Sequence, residues 1–170
     1  MALKDTLERR QKEVSGQGFS KEAVIEEWQK SVAALMSEIE EFLHEYKSEG
    51  TLKIEQSDTE LTEEALGTYP TTQMTLRAGS AVLMIQPIGR MIIGATGRVD
   101  LYRQGHGAMN ERVLALRGTS SDDSQWMLSI PPEDQSFKIM RTAALAKSLE
   151  RTVLPLTKAN LESALDRLLQ

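Results

Sequence analysis

The segment Pro87-Ile88-Gly89-Arg90, followed by Gly94-Ala95-Thr96-Gly97-Arg98-Val99-Asp100-Leu101-Tyr102-Arg103, sets glycines beside guanidinium groups. Residues of these two types can gather backbone N–H groups and two-pronged hydrogen-bond forks around a phosphate or carboxylate. The familiar phosphate loops join a strand to a helix and read Gly-Lys-Ser/Thr or Gly-x-Gly-x-x-Gly, patterns this chain lacks. Here the glycines fall inside a predicted strand. Its period of two sets Arg98, Asp100 and Tyr102 on one face and Gly97, Val99, Leu101 and Arg103 on the other. Two readings fit. One is a structural Arg98–Asp100 pair flanking a sheet bend. The other is a ligand or partner contact made by Arg90, Arg98 and Arg103, with Asp100, Tyr102 and the loop residue His106 beside them.

Charge is distributed unevenly around this segment. Residues 88–117 hold five arginines (Arg90, Arg98, Arg103, Arg112, Arg117) against Asp100 and Glu111, a net +3 without a lysine. Residues 20–66 hold thirteen acids against four lysines, a net −9, within a chain of net −5. Arginine is the preferred cation where a carboxylate or phosphate is held by a planar fork. If the acidic helix turns its apolar stripe and not its glutamates toward the sheet, the arginine-bearing strands are left as a free surface for an acidic partner or ligand.

Other chemical equipment is sparse. The absence of cysteine excludes disulfides, thiolate metal sites and thiol nucleophiles together. His44 and His106 are far apart, His106 in a Gly-flanked loop, and no metal site is assigned. The hydroxyls of Thr119, Ser120, Ser121 and Ser124 lie in an acidic turn with no histidine spaced to activate them. Glu63-Glu64 has no marked cleft around it. No catalytic residue or cofactor is assigned, and enzyme ranks third among the function classes. A net acidic chain with 5% aromatic residues is a poor nucleic-acid binder. No apolar run is long enough to span a bilayer, and the charged residues from Lys4 to Lys12 leave no room for a signal-peptide core. The expected location is the cytoplasm, with no membrane or nucleic-acid partner.

The elements that position these residues follow from periodicity. Ile25, Trp28, Val32, Leu35, Ile39, Phe42 and Tyr46 step by threes and fours and form the heptad seam of a long helix. Val24, Met36 and Leu43 widen it into the broader face of a helix lying on a core. Ser20 is its predicted N-cap, Phe19 a staple onto Val24, and Gly50 its left-handed cap. Strands are predicted at Thr51–Gln56, Thr72–Ala78, Ala81–Gln86, Met91–Tyr102, Glu111–Arg117, Trp126–Ile130 and Ser136–Met140. A helical turn or two is placed near Thr62, a short helix over Thr142–Glu150, and a last helix capped by Thr157 with Leu161, Ala164, Leu165 and Leu168 inward. Gly94 and Gly97 mark a bulge or bend where another group comes close. Short connections favour an antiparallel meander.

The expected fold is therefore one α+β domain over 1–170. A long N-terminal amphipathic helix packs on an antiparallel meander of about six strands, with a C-terminal helix, and 1–18 is a flexible or weakly docked segment. In outline it is similar to secretion chaperones and toxin-immunity proteins. The expected function is a non-enzymatic interaction module, an adaptor, chaperone or inhibitor, using the seam to dock a protein partner or to form a homodimer. The alternative is a domain that binds an anionic small molecule through the sheet arginines.

Overall fold

The structure, a computed structural model, describes residues 2–8, 20–92, 94–118, 125–132 and 151–170. Residues 2–8 form a short helix, α1, with Leu3 and Leu7 exposed. The long helix α2 (Lys21–Phe42) starts where Ser20 Oγ accepts the Ala23 N–H at 3.2 Å, satisfying a donor that has no partner inside the helix. It is interrupted at Leu43. A second segment, α3 (His44–Glu49), ends at Gly50, whose φ of 79° suits a residue without a Cβ. The staple through Phe19 lies outside the described residues.

One antiparallel sheet follows in chain order: β1 (Lys53–Glu63), β2 (Gly67–Ala78), β3 (Ala81–Gly89), β4 (Gly97–Arg103), β5 (Val113–Arg117), β6 (Trp126–Ile130) and β7 (Thr152–Pro155). The C-terminal helix α4 (Lys158–Leu169) is capped by Thr157, whose Oγ1 accepts the Asn160 N–H at 3.1 Å. The fold is the expected α+β arrangement, with seven strands in sequence order among the described residues. Both edges are blunted against further pairing. β1 carries Lys53, Glu55, Asp58 and Glu60, and β7 is short and ends in Pro155.

The core lies between the sheet and the two helices α2 and α4. Trp28, Val32, Leu35, Met36, Ile39 and Leu43 on the long helix meet Met74, Leu76, Leu83, Ile85, Val99 and Leu101 from the strands, with Leu161, Ala164, Leu165 and Leu168 from α4. Leu35 and Ile39 are each 1% exposed. The seam residues Trp28, Val32, Leu35 and Ile39 are buried in this chain's own core, the packing role of the two that their spacing allows. Ile25, Phe42 and Tyr46 are only partly buried. A straight α-helix drifts away from a 3.5-residue repeat by about 20° per heptad, so Leu43 takes the inward position that Phe42 would hold in a supercoil.

Several boundaries move, each for a visible reason. The turns placed near Thr62 are strand instead: Leu61 pairs with Tyr69, Glu63 pairs with Gly67, and Gly67 at φ 77° closes the hairpin. Pro70 sits inside β2 without harm because β3 pairs with β2 only from Met74 onward. β3 runs on through Pro87 to Gly89 with a register shift. The strand expected over Met91–Tyr102 begins only at Gly97. Before it, the Arg90 and Met91 N–H groups donate to Glu63 Oε1, both at 2.9 Å, and Gly94 turns the chain at φ 80°. Gly97 is the close approach anticipated from sequence, since a Cβ there would collide with the Trp28 ring. β7 had not been expected. The strand at Ser136–Met140 and the helix at Thr142–Glu150 lie outside the described residues.

Candidate functional site

Strand alternation leaves Gln73, Gln86, Arg98, Asp100, Tyr102 and Ser129 on the sheet face opposite α2. Registers align them in a row across the sheet: Ser57 opposite Gln73, Gln86 opposite Asp100, Asp100 opposite Leu114, Leu114 opposite Ser129. Hydrogen bonds join the row. Gln73 donates to Ser57 at 3.3 Å, Gln86 to Gln73 Oε1 at 3.2 Å, and the Tyr102 hydroxyl to Gln86 Oε1 at 3.0 Å. The Arg112 guanidinium then stacks over the Tyr102 ring, 4.1 Å from its centroid.

Asp100 is the centre of this face. Its side chain is fully buried and receives Arg98 through two parallel 2.7 Å bonds and Arg112 Nη1 at 3.0 Å. Arg112 Nε is tied to the Gly107 carbonyl, and Arg98 Nη2 also reaches Met109 Sδ. A third arginine, Arg151, donates through Nε to Ser129 Oγ and through Nη2 to the Ser129 carbonyl, both at 2.8 Å, and to the Arg112 carbonyl. One carboxylate thus holds two guanidiniums, and the third is anchored to Ser129 and to the backbone of Arg112. Hydrogen bonding to Asp100 holds the Arg98 guanidinium above its ordinary pKa against the cost of burial. Burial pushes Arg151 down, with the attraction of Asp100 and the repulsion of Arg98 as lesser influences.

The other arginines of residues 88–117 point elsewhere. Arg117, 4% exposed on the helix side, makes a two-pronged contact with Glu27 at 2.6 and 3.1 Å, donates to Ser31 Oγ and to the Thr96 carbonyl, and lies 5.4 Å from the Trp28 ring. Arg90 approaches the same Glu27 at 3.5 Å. Partial burial raises the Glu27 pKa, but the hydrogen bonds and charge of Arg117 and then Arg90 outweigh this and hold it below the usual carboxylate value. Arg103 meets the Leu169 carbonyl at 3.4 Å, and His106 is an exposed loop residue. The structure therefore joins Arg98, Asp100 and Tyr102 but separates Arg90, Arg103 and His106 from them. Of the arginines expected to form a free surface, Arg90 and Arg98 are paired with carboxylates of the same chain, as are Arg112 and Arg117, while Arg103 meets the Leu169 carbonyl.

Sequence reasoning missed Arg112 as a partner of Asp100, along with Arg151, Gln73, Gln86 and Ser129. Strand alternation could have placed Gln86 and Asp100 on one face once their register was known. Nothing local marks Arg151, which lies 51 residues beyond Asp100 in the chain. Glu63 was set aside for want of a cleft, and it instead accepts the Tyr69 hydroxyl and two backbone N–H groups. Burial and then the Glu63 carboxylate push the Tyr69 phenol above its ordinary value. Among the described residues no cluster of three or more His, Asp or Glu side chains is placed to hold a metal ion.

A second concavity lies on the helix side. A groove of about 270 Å³ opens between the end of α2, α3, the β2–β3 hairpin and α4. Leu43, Leu52, Leu76, Leu83 and Leu165 form much of its wall, and Tyr46, Glu162 and Asp166 supply polar atoms.

Compared with protein-family models, curated proteins and solved structures, the chain matches none.

Proposed function

We propose that the protein is a non-enzymatic interaction module that binds an acidic segment of a partner protein on the outer sheet face around Asp100. The observation that carries this reading is the pair of guanidiniums held by one buried carboxylate, with Arg151 tied to the Arg112 carbonyl beside them. Asp100 orients Arg98 and Arg112 and fixes them in low-entropy positions, while 20% and 23% of their side chains remain exposed. An incoming carboxylate meets donors that are already ordered, so little side-chain freedom is lost on binding. Met84, Leu114, Leu116 and Met127 are half-buried on the same face and Met109 is 51% exposed, giving the apolar contacts that accompany charge at protein interfaces.

The test is a peptide-display selection on the intact protein, counter-selected with Arg112→Ala. That variant leaves the two-pronged Arg98–Asp100 pair in place. The expected result is enrichment of Asp- and Glu-bearing peptides whose binding weakens steeply with salt and is reduced in the folded variant. Enrichment without an acidic bias, or binding indifferent to Arg112→Ala, overturns the reading. Displacement of the peptides by inorganic phosphate at low concentration would redirect it to an anionic small molecule.

A further inference from the structure

We infer that Met109 is an oxidation site whose sulfoxide closes the Arg98 side of the outer sheet face, making binding there sensitive to peroxide. The effect on binding rests on the function proposed above, whereas the oxidation rests on exposure and geometry alone. In a chain without cysteine, the methionine thioethers are the most readily oxidised side chains. Met36 and Met74 are fully buried, whereas Met91 and Met109 are 48% and 51% exposed. What the sulfur touches sets Met109 apart from Met91. Met109 opens the short helical turn Met109–Glu111 between β4 and β5, and its Sδ accepts Arg98 Nη2 at 3.2 Å. Nη2 also donates to Asp100 Oδ2 at 2.7 Å, so the sulfur takes its second hydrogen. A thioether is a weak acceptor. It holds the guanidinium in place and yields readily to the carboxylate of a partner.

A hydroperoxide changes that acceptor. The sulfur attacks the terminal oxygen of hydrogen peroxide through a lone pair, and the O–O bond breaks. The departing hydroxide takes the hydrogen of the transferred oxygen and leaves as water. Sulfur has then lost two electrons and gained one oxygen, and the peroxide is reduced. The product is a polar sulfoxide in place of an apolar thioether. Half exposed, the side chain has room to turn its new oxygen toward the guanidinium. Two consequences act in the same direction. The sulfoxide oxygen holds the Nη2 hydrogen that an incoming carboxylate needs, and the apolar contact offered by Met109 is lost. The change is reversible, because two thiols can remove the oxygen as water while forming a disulfide.

Limited oxidation of the full chain with dilute hydrogen peroxide, followed by peptide mass mapping, tests the site. The expected result is sulfoxide at Met91 and Met109 before Met36 or Met74, with an unchanged circular dichroism spectrum. The Arg98 guanidinium resonance, followed by NMR, should shift on oxidation of the wild type and of Met91→Leu, and stay in place in Met109→Leu. Binding is read with an oligoglutamate peptide at low salt. Oxidation should weaken it about tenfold in the wild type and in Met91→Leu, the worth of one hydrogen bond to a charged group. A methionine sulfoxide reductase should restore it. Met109→Leu, compared with its own untreated sample, should change little. Met109 left intact while Met91 oxidises overturns the inference, as does an Arg98 resonance indifferent to oxidation. Unchanged affinity of the oxidised wild type, or an equal loss in Met109→Leu, overturns the effect on binding. An untreated protein that does not bind oligoglutamate counts against the function proposed above and takes the effect on binding with it, while the mapping and the Arg98 resonance still decide the oxidation.

Discussion

Asp100 shows how a residue recognised by type can be misjudged by context. Its pairing with Arg98 two positions away was legible, because strand alternation places the two side by side. Its burial was not legible, because that depends on Arg112 folding back across the Tyr102 ring and on Met109 beside Arg98. A fully buried carboxylate shared by two arginines is held by its partners, and removing its charge leaves both guanidiniums facing like charge in a poorly solvated place. Asp100→Asn should therefore cost about 3 kcal/mol, the lower end for breaking a buried ion pair. Urea unfolding monitored by circular dichroism gives the number. A loss below about 1 kcal/mol, the level of a surface pair, would mean that the pairs contribute little and Asp100 is effectively solvated.

The long helix was the element read most securely from sequence, and its face was nonetheless assigned two possible roles. A repeat of threes and fours fits both a coiled-coil seam and a helix lying on a sheet, and only the widening by Val24, Met36 and Leu43 favours the sheet. The decision rests on what the other elements supply. The inward faces of β2, β3 and β4 and the buried side of α4 together present enough apolar surface to cover the stripe within one molecule. Gly97 gives the matching detail: β4 lacks a side chain where the Trp28 ring comes down, and Trp28 in turn lies 6.0 Å from Trp126. β1, β3 and β4 were placed with shifted ends because their limits depend on partners distant in sequence, such as the Glu63 carboxylate that draws Arg90 and Met91 out of the ladder. Leu35→Asp puts a charge at a position 1% exposed and should unfold the protein, with a penalty above about 3 kcal/mol from lost packing and desolvation. Circular dichroism of the purified variant reads this directly. A variant that stays folded and merely changes its sedimentation coefficient would return the stripe to the role of an intermolecular seam.

At the scale of the whole molecule, the opposed charges of the acidic helix and the arginine-bearing strands are joined at Glu27, which draws Arg117 and Arg90 to the helix from the strand end and the β3–β4 connection. Glu40 of the same helix also meets the sheet, accepting the Gln56 amide of β1 at 2.8 Å, but Glu27 is where two arginines from the sheet side come to the helix. Because the Glu27 carboxyl is held below its usual 4.5 in the fold, the unfolded chain binds its proton more readily. The stabilisation from that depressed value is fully present above the unfolded pKa and is lost as pH falls through the folded one. Glu27→Gln lacks this contribution at every pH and also leaves the buried Arg117 without its counter-charge. The variant should accordingly unfold at lower denaturant than the wild type at neutral pH, and the gap should narrow as pH drops below 4.5. Glu22 and Glu40, whose carboxyls are also depressed by local hydrogen bonds, remain in both proteins and cancel from the comparison. Paired urea titrations from neutral pH into the acid range measure the gap. A difference that stays constant through the acid range would show that the Glu27 carboxylate does not tie the helix to the sheet through its charge.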